Sequence, residues 1–186
     1  MEQLTELIKG CIDGNRHSQN GLYRLLSRAM FGVCLRYAQN REEAEDILQE
    51  GFIKVFECIH QYRNSGPFEG WVRKIMVNTA LQKLRTKRNM HAVITLNDTV
   101  AEMPGSDEII GRLGTKELLK VVQQLPPAYR TVFNLYVFEG LKHREIAALL
   151  GVSEGTSKSN LSDARAILQK AVLKSLQAVK PNLKEI

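Results

Sequence analysis

The sequence predicts an all-α protein of two small helical domains joined by a flexible acidic linker. Three observations carry this expectation. Nearly every readable segment repeats its apolar residues with a period of about 3.6. The period lapses once, from Asn89 to about Gly105, where Pro104 and Gly105 mark a break. No alternating strand pattern of useful length and no internal repeat is present. A chain of 186 residues allows one compact domain or two small ones, and the lapse favours two. The expected boundaries are 1–89, a linker over 90–107, and 108–186.

The helices can be taken in order. Leu4, Leu7, Ile8, Cys11 and Ile12 share one face of a first helix. Leu22, Leu25, Leu26, Ala29 and Val33 do the same for a second. The third opens at Asn40, a capping residue, with Glu43 three residues on to complete a capping box. Its apolar face is Ala44, Ile47, Leu48, Phe52, Val55, Phe56 and Ile59. The turn-rich RNSGPFEG follows. A fourth helix, WVRKIMVNTALQKLRTKR, turns Val72, Ile75, Met76, Ala80 and Leu84 inward.

Beyond the lapse, Leu118, Leu119, Val122 and Leu125 line a helix that Pro126-Pro127 ends. Pro127 suits the first turn of the next helix, whose apolar face includes Val132, Phe133, Tyr136 and Val137. Two more helices follow, split at Gly151. The first, Leu141 to Leu150, has Ile146, Ala147 and Leu150 inward; small Ala147 permits a close crossing. Gly151 is placed to take a left-handed conformation, Val152 anchors the turn, and Ser153 can cap the second helix.

That second helix begins with GVSEGTSKSNLSDAR, a run of small polar residues unusual at a helix start. A helix-turn-helix accounts for it. A recognition helix presents its first turns to the major groove, where bulky side chains would hold the backbone off DNA. Hydroxyls allow close approach and bond phosphates or base edges, and helix N-terminal amides favour phosphate oxygens. Ser153, Gly155, Thr156, Lys158, Ser159, Ser162 and Asp163 suit such a face, with Leu161, Ala164 and Leu168 packing inward. An ordinary helical hairpin with a Ser-rich turn would show much of the same pattern. Ser157 stands where such sequences usually carry an apolar residue. A buried hydroxyl there needs a partner, most easily the carbonyl four residues back.

Composition bounds the function. The net charge is +6 and the pI about 9.3, which suits a polyanionic partner without proving one. No apolar run approaches the ~18 residues of a membrane span. The N-terminal MEQLTELIKG has no signal-peptide pattern, so a cytoplasmic chain is expected. Cys11, Cys34 and Cys58 are far apart without a CxxC and read as three buried thiols in a reducing compartment. With His17, His60, His91 and His143 scattered, no metal site and no cofactor are expected.

Charge is distributed unevenly. From Trp71 to Asn89 the chain holds Arg73, Lys74, Lys83, Arg85, Lys87 and Arg88 and no acid. A basic helix with an aromatic at one end can follow a phosphate backbone and stack a base, although a solvated basic face would carry the same residues. From Arg41 to Glu57 the sign inverts: Glu42, Glu43, Glu45, Asp46, Glu50 and Glu57 outnumber Arg41 and Lys54. An acidic helix repels DNA and suits a basic protein surface. The linker is acidic as well, with Asp98, Glu102, Asp107 and Glu108 and no Lys or Arg between His91 and Ile110.

In order, DILQEGFIKVF, FEGWVRKIMVNTALQKLRTKR, the acidic linker and LPPAYRTVFNLYVFEGLKHREIAALLGVSEGTSKSNLSDAR resemble bacterial RNA polymerase sigma factors of the sigma-70 family. More narrowly they resemble the extracytoplasmic-function group, which keeps only regions 2 and 4. The resemblance spans about residues 17 to 175. It implies that Asp46, Gln49, Glu50 and Phe56 contact the clamp of the polymerase's largest subunit. It implies that the turn Gln61 to Glu69 captures a flipped base of the −10 element, at a cost of a few kcal/mol that a tight pocket must offset. Arg63, Phe68, Trp71, Arg73, Lys74, Asn78, Arg85 and Arg88 then belong to the −10 site; Val77-Asn78-Thr79 matches the family's VNT. Region 4 would read the −35 element as duplex through Lys158, Ser159, Ser162 and Asp163, with Thr156 and Arg165 on phosphates and Ser153 on the same −35 face, and meet the flap of the second-largest subunit. Many members carry Arg at the positions of Asn160 and Asp163 and Val at Ser157. The Asp163 carboxylate would accept from cytosine rather than donate to guanine. The acidic linker would thread the channels that nascent RNA later uses. The group is often held inactive by a membrane-anchored anti-sigma factor.

Two other readings compete. A two-domain helix-turn-helix regulator would bind an operator without polymerase, but the N-terminal half has its own basic-aromatic face and no apparent pocket glycines. A small helical enzyme would need a nucleophile–base pair, a metal cluster or a phosphate loop, and none is found.

Overall fold

The computed structural model describes residues 2–90 and 115–179, and within them the side chains of 3–86 and 119–174. Eight α-helices are present among these residues: α1 (Glu2–Ile12), α2 (Arg16–Tyr37), α3 (Arg41–Cys58), α4 (Phe68–Met90), α5 (Thr115–Gln124), α6 (Pro127–Val137), α7 (His143–Leu150) and α8 (Glu154–Val179). A short 3₁₀ turn, Ile59–Gln61, follows α3. The chain divides into two compact units, Met1–Ile94 and Thr95–Ile186. The acidic linker residues Asp98, Glu102, Asp107 and Glu108 lie outside the described residues.

Local chemistry explains where the helices start. The Asn40 side chain accepts the Glu43 amide at 2.8 Å, so α3 is capped as its sequence requires. The Glu43 carboxylate reaches back to the Gln39 amide at 2.7 Å. Asn15 caps α2 in the same way, accepting from His17 and Ser18. Pro127 occupies the first turn of α6, where a missing N–H costs nothing.

In unit 1, α2, α3 and α4 pack on one another and α1 lies along α2. The core is Leu22, Leu26, Met30, Ile47, Phe52, Val55, Val72, Met76 and Leu81, each 6% exposed or less. Burying each such side chain is worth about 1.5–3 kcal/mol. Gly51 of α3 lies against the Met76 side chain of α4: a Cβ built there would overlap Met76 Sδ. The second-helix stripe read from sequence is only partly right. Leu25 is 55% exposed and Ala29 is exposed, while Met30, Cys34 and Tyr37 are buried. The stripe is shifted by one residue because α3 and α4 both sit on the side that Met30 and Cys34 face. Cys11 and Cys34 are buried, and burial pushes the Cys34 thiol up to about 12, where it is inert; Cys58 is only half-buried.

In unit 2, α6 and α7 both pack on α8. Val132, Phe133, Leu135, Ile146, Leu161, Ala164, Leu168 and Val172 form its core. Tyr136 and Val137, expected inward, are 37% and 45% exposed, and Leu135 is buried in their place. Arg130, by contrast, is 1% exposed, and its Nη1 donates to the Gln123 carbonyl at 2.8 Å. That carbonyl is one of the last on α5, which lacks an intrahelical partner and sits at the negative end of the helix dipole.

Asn40→Ala should cost about 1 kcal/mol through loss of the α3 cap. Thermal unfolding followed by circular dichroism should show the transition of unit 1 lowered by roughly 4–8 °C, with unit 2 unchanged.

Candidate polymerase and nucleic-acid interfaces

On α3 the positions Asp46, Gln49, Glu50, Ile53 and Glu57 share one side of the helix at i, i+3, i+4, i+7 and i+11. All are exposed except Glu50, which is half-buried. Ile53, 58% exposed, sits in the middle of this acidic row. It was missed in sequence because a single apolar residue among acids breaks no helical period. Phe56 lies at the rim, half-buried, its ring 6.0 Å from Phe52, which in turn lies 4.7 Å from Tyr23.

The acidic row is joined to α4 by cations. Lys54 Nζ lies 2.7 Å from a Glu50 oxygen. Lys83 of α4 lies 3.5 Å from Asp46 and 3.7 Å from Glu50. Lys83, grouped in the sequence with the basic face of α4, therefore turns toward α3. These partly exposed pairs are each worth about 0–1 kcal/mol, so an incoming cation can replace them at little cost. A groove between α3 and α4 is lined by Glu42, Glu43, Asp46, Glu50, Lys83 and Arg85.

On α4 a different row is exposed. Trp71, Lys74, Asn78 and Arg85 fall on one side at about 3.6 residues per turn, with Trp71 half-buried and the others exposed. Arg73 points to the opposite side and is half-buried. The Arg88 side chain lies outside the described residues.

The loop before α4 is organised by three aromatic rings. Tyr62 meets Phe68 edge-on at 4.9 Å and lies 5.7 Å from Trp71; Phe68 lies 5.5 Å from Trp71. The Tyr62 hydroxyl donates to the Gly66 carbonyl at 2.5 Å, tying the loop closed. Asn64 takes a positive φ of 54° within it, a conformation that Asn tolerates better than most residues. Phe68, assigned from the sequence to the −10 site, is 4% exposed, because Tyr62 and Trp71 cover it. Tyr62 is the loop's half-buried aromatic, and Arg63 stands exposed beside it.

In unit 2 the turn between α7 and α8 forms as its residues require. Gly151 has φ +67°, the left-handed conformation that ends α7. Ser153 Oγ accepts the Thr156 amide at 2.9 Å and lies 2.8 Å from the Thr156 hydroxyl, so its oxygen serves as the cap of α8. Ser159 Oγ donates to the Thr156 carbonyl at 3.1 Å. Thr156, Lys158, Ser159 and Ser162 are exposed on the outer half of α8; Asp163 and Arg165 are half-buried at its flanks. Lys158 is paired with Glu154 at 2.8 Å. The hydrogen bond and charge of Lys158, with smaller contributions from His143 and Arg144, hold the Glu154 carboxyl below its ordinary value.

Ser157 is fully buried, as its position requires, but the side-chain partner found differs from the expected backbone carbonyl. Its Oγ lies 3.0 Å from His143 Nδ1, fourteen residues back on α7. His143 stacks on Tyr136 of α6 with ring centres 4.8 Å apart, and the Arg165 guanidinium lies 5.8 Å above the same Tyr136 ring.

Comparison with known proteins agrees with this architecture. Residues 22–90 match the family described as Sigma-70 region 2, and residues 115–168 match Sigma-70, region 4; together they cover well over half of the chain. The chain is 35% identical over 157 residues to the ECF RNA polymerase sigma factor SigE of Mycolicibacterium smegmatis, a match covering 82% of this chain and 60% of that protein. It is 28% identical over 184 residues to the RNA polymerase sigma-H factor of Pseudomonas aeruginosa, covering 92% of this chain and 94% of that one. Its fold is similar to the sigma factor RpoE of Bartonella quintana, solved in complex with the anti-sigma factor NepR, with a TM-score of 0.51 at 22% identity over 83% of this chain and 96% of that chain. With both conserved regions matched in order and each built as a separate helical unit, this chain belongs to the sigma-70 family of RNA polymerase sigma factors, in its extracytoplasmic-function group.

Proposed function

We propose that this chain is the dissociable promoter-specificity subunit of RNA polymerase and that its surfaces divide the task by charge. The observation that carries the reading is in unit 1. Adjacent helices present opposite chemistries: an acidic row around Ile53 on α3, and Trp71, Lys74, Asn78 and Arg85 on α4. Asp46, Gln49, Glu50 and Phe56 bind a basic surface on the clamp of core polymerase, with Ile53 as the apolar centre of a polar-rimmed contact. The α4 row takes melted −10 DNA, Trp71 stacking and Lys74 and Arg85 on phosphates. Tyr62 and Phe68 support Trp71 from within the loop, and Arg63 flanks a base drawn out of the duplex. Unit 2 reads the −35 element as duplex through α8 and meets the polymerase flap.

The reading extends to regulation. A membrane-anchored anti-sigma factor that covers the α3 row and the DNA face of α8 would hold the chain inactive; the sigma factor of similar fold from Bartonella quintana is solved in complex with an anti-sigma factor. No described helix is long and apolar enough to cross a membrane. The chain itself performs no chemistry in this reading.

Run-off transcription with core polymerase on a random promoter library tests it: starts that depend on this chain are expected, and their absence would end the proposal. An operator-binding regulator would instead shift duplex DNA without polymerase. Ile53→Asp should weaken core binding by about 30-fold, the effect of losing one central contact of ~2 kcal/mol. Arg85→Ala should slow open-complex formation, read by permanganate footprinting, with core affinity unchanged. Glu154→Gln should free Lys158 and raise affinity for −35 duplex about threefold, the worth of an exposed ion pair. An unchanged affinity would place Lys158 away from the duplex.

A further inference from the structure

We propose that His143 is a positioning residue for duplex recognition: its bond to Ser157 fixes the register in which α8 is offered to DNA. The inference rests on the reading of α8 as the DNA-reading helix. Its basis is a departure from the pattern that such helices usually follow. At Ser157 an apolar side chain would seal α8 against α7 by contact alone, and contact tolerates small slides and rotations. This chain has a hydroxyl there, fully buried, 3.0 Å from His143 Nδ1. A hydrogen bond is directional and its strength falls steeply with angle, so it selects one rotation of α8 about its axis.

The placement of the pair makes that rotation matter. Ser157 follows Thr156 and precedes Lys158 and Ser159, all exposed on the outer half of the helix. A rotation that moved Ser157 off His143 would carry these three with it. The anchor is itself held. His143 opens α7 and stacks on Tyr136 of α6, and Tyr136 also carries the Arg165 guanidinium from the next turns of α8. One cluster of four side chains thus fastens three helices beside the DNA-facing surface. A serine hydroxyl both donates and accepts, so it can pair with Nδ1 in either tautomer of the imidazole.

The test uses holoenzyme assembled on core polymerase and a promoter recovered by run-off selection, in two forms: −35 intact and −35 scrambled. The quantity read is the ratio of transcription from the two. His143→Phe keeps the stacking on Tyr136 and removes the bond; Ser157→Ala removes the hydroxyl; Ser157→Thr retains it. Each of the first two should lower the ratio about tenfold, the double variant should lose no more than either alone, and Ser157→Thr should largely restore it. A purely structural role would lower both promoters alike, in step with the folded fraction measured by circular dichroism. That outcome, additive losses, or an unchanged ratio in folded His143→Phe and Ser157→Ala would overturn the proposal. Should the variants fail to fold, the imidazole ¹⁵N spectrum of the unaltered protein decides: a hydrogen-bonded Nδ1 supports the assignment and a free one overturns it. Lys158→Ala is the control for the underlying reading: if it too leaves the ratio unchanged, α8 is not the reading helix and the failure lies there.

Discussion

The pairing of α3 with α4 at Gly51 is the constraint on which the rest of unit 1 depends. The absent Cβ lets Met76 seat against the α3 backbone, where any larger residue would overlap its sulfur. Two helices held this close cannot rotate independently. The side of α3 that faces outward is then fixed relative to the side of α4 that faces outward. An acidic row and a basic-aromatic row become two surfaces of one rigid body, which lowers the ordering cost when either meets its partner.

Electrostatics refines that arrangement without creating it. Lys54 and Lys83 lie against Asp46 and Glu50, so the acidic row is partly neutralised by its own domain. Such exposed pairs contribute little to stability, and their value is in orientation. They hold carboxylates in place and yield to a better-placed cation. Lys158 and Glu154 follow the same logic on α8. In each case a partly exposed charge rests on a neighbouring side chain, in a pair that a competing charge can replace at low cost.

Unit 2 solves a different problem. In the proposed reading α8 approaches DNA closely, and its outward Thr156, Ser159 and Ser162 are small, exposed and contribute little packing of their own. Stability has to come from beneath: the buried guanidinium of Arg130 on the end of α5, the Leu161, Ala164 and Leu168 stripe, and the cluster of Tyr136, His143, Ser157 and Arg165. Aromatic stacking and one buried hydrogen bond substitute for the bulk that the exposed side of α8 does not carry.

The sequence alone determined whatever is local. Helical periods, the Asn40 and Ser153 caps, the left-handed Gly151 and the all-α class depend on residues within about a turn of one another, and all appear as read. The acidic and basic blocks were legible for the same reason. Tertiary structure decided what depends on distant partners. Leu25 and Tyr136 are exposed because a period shows that a stripe exists, while the neighbouring helices choose which edge of it is covered. Lys83 turns to Asp46 and Glu50 of α3, although it belongs to the same basic run as the exposed Lys74. Phe68 is covered by Tyr62 and Trp71, and Ser157 finds its partner across a turn in His143. Burial and pairing are properties of what meets across space, and no single helix carries that information.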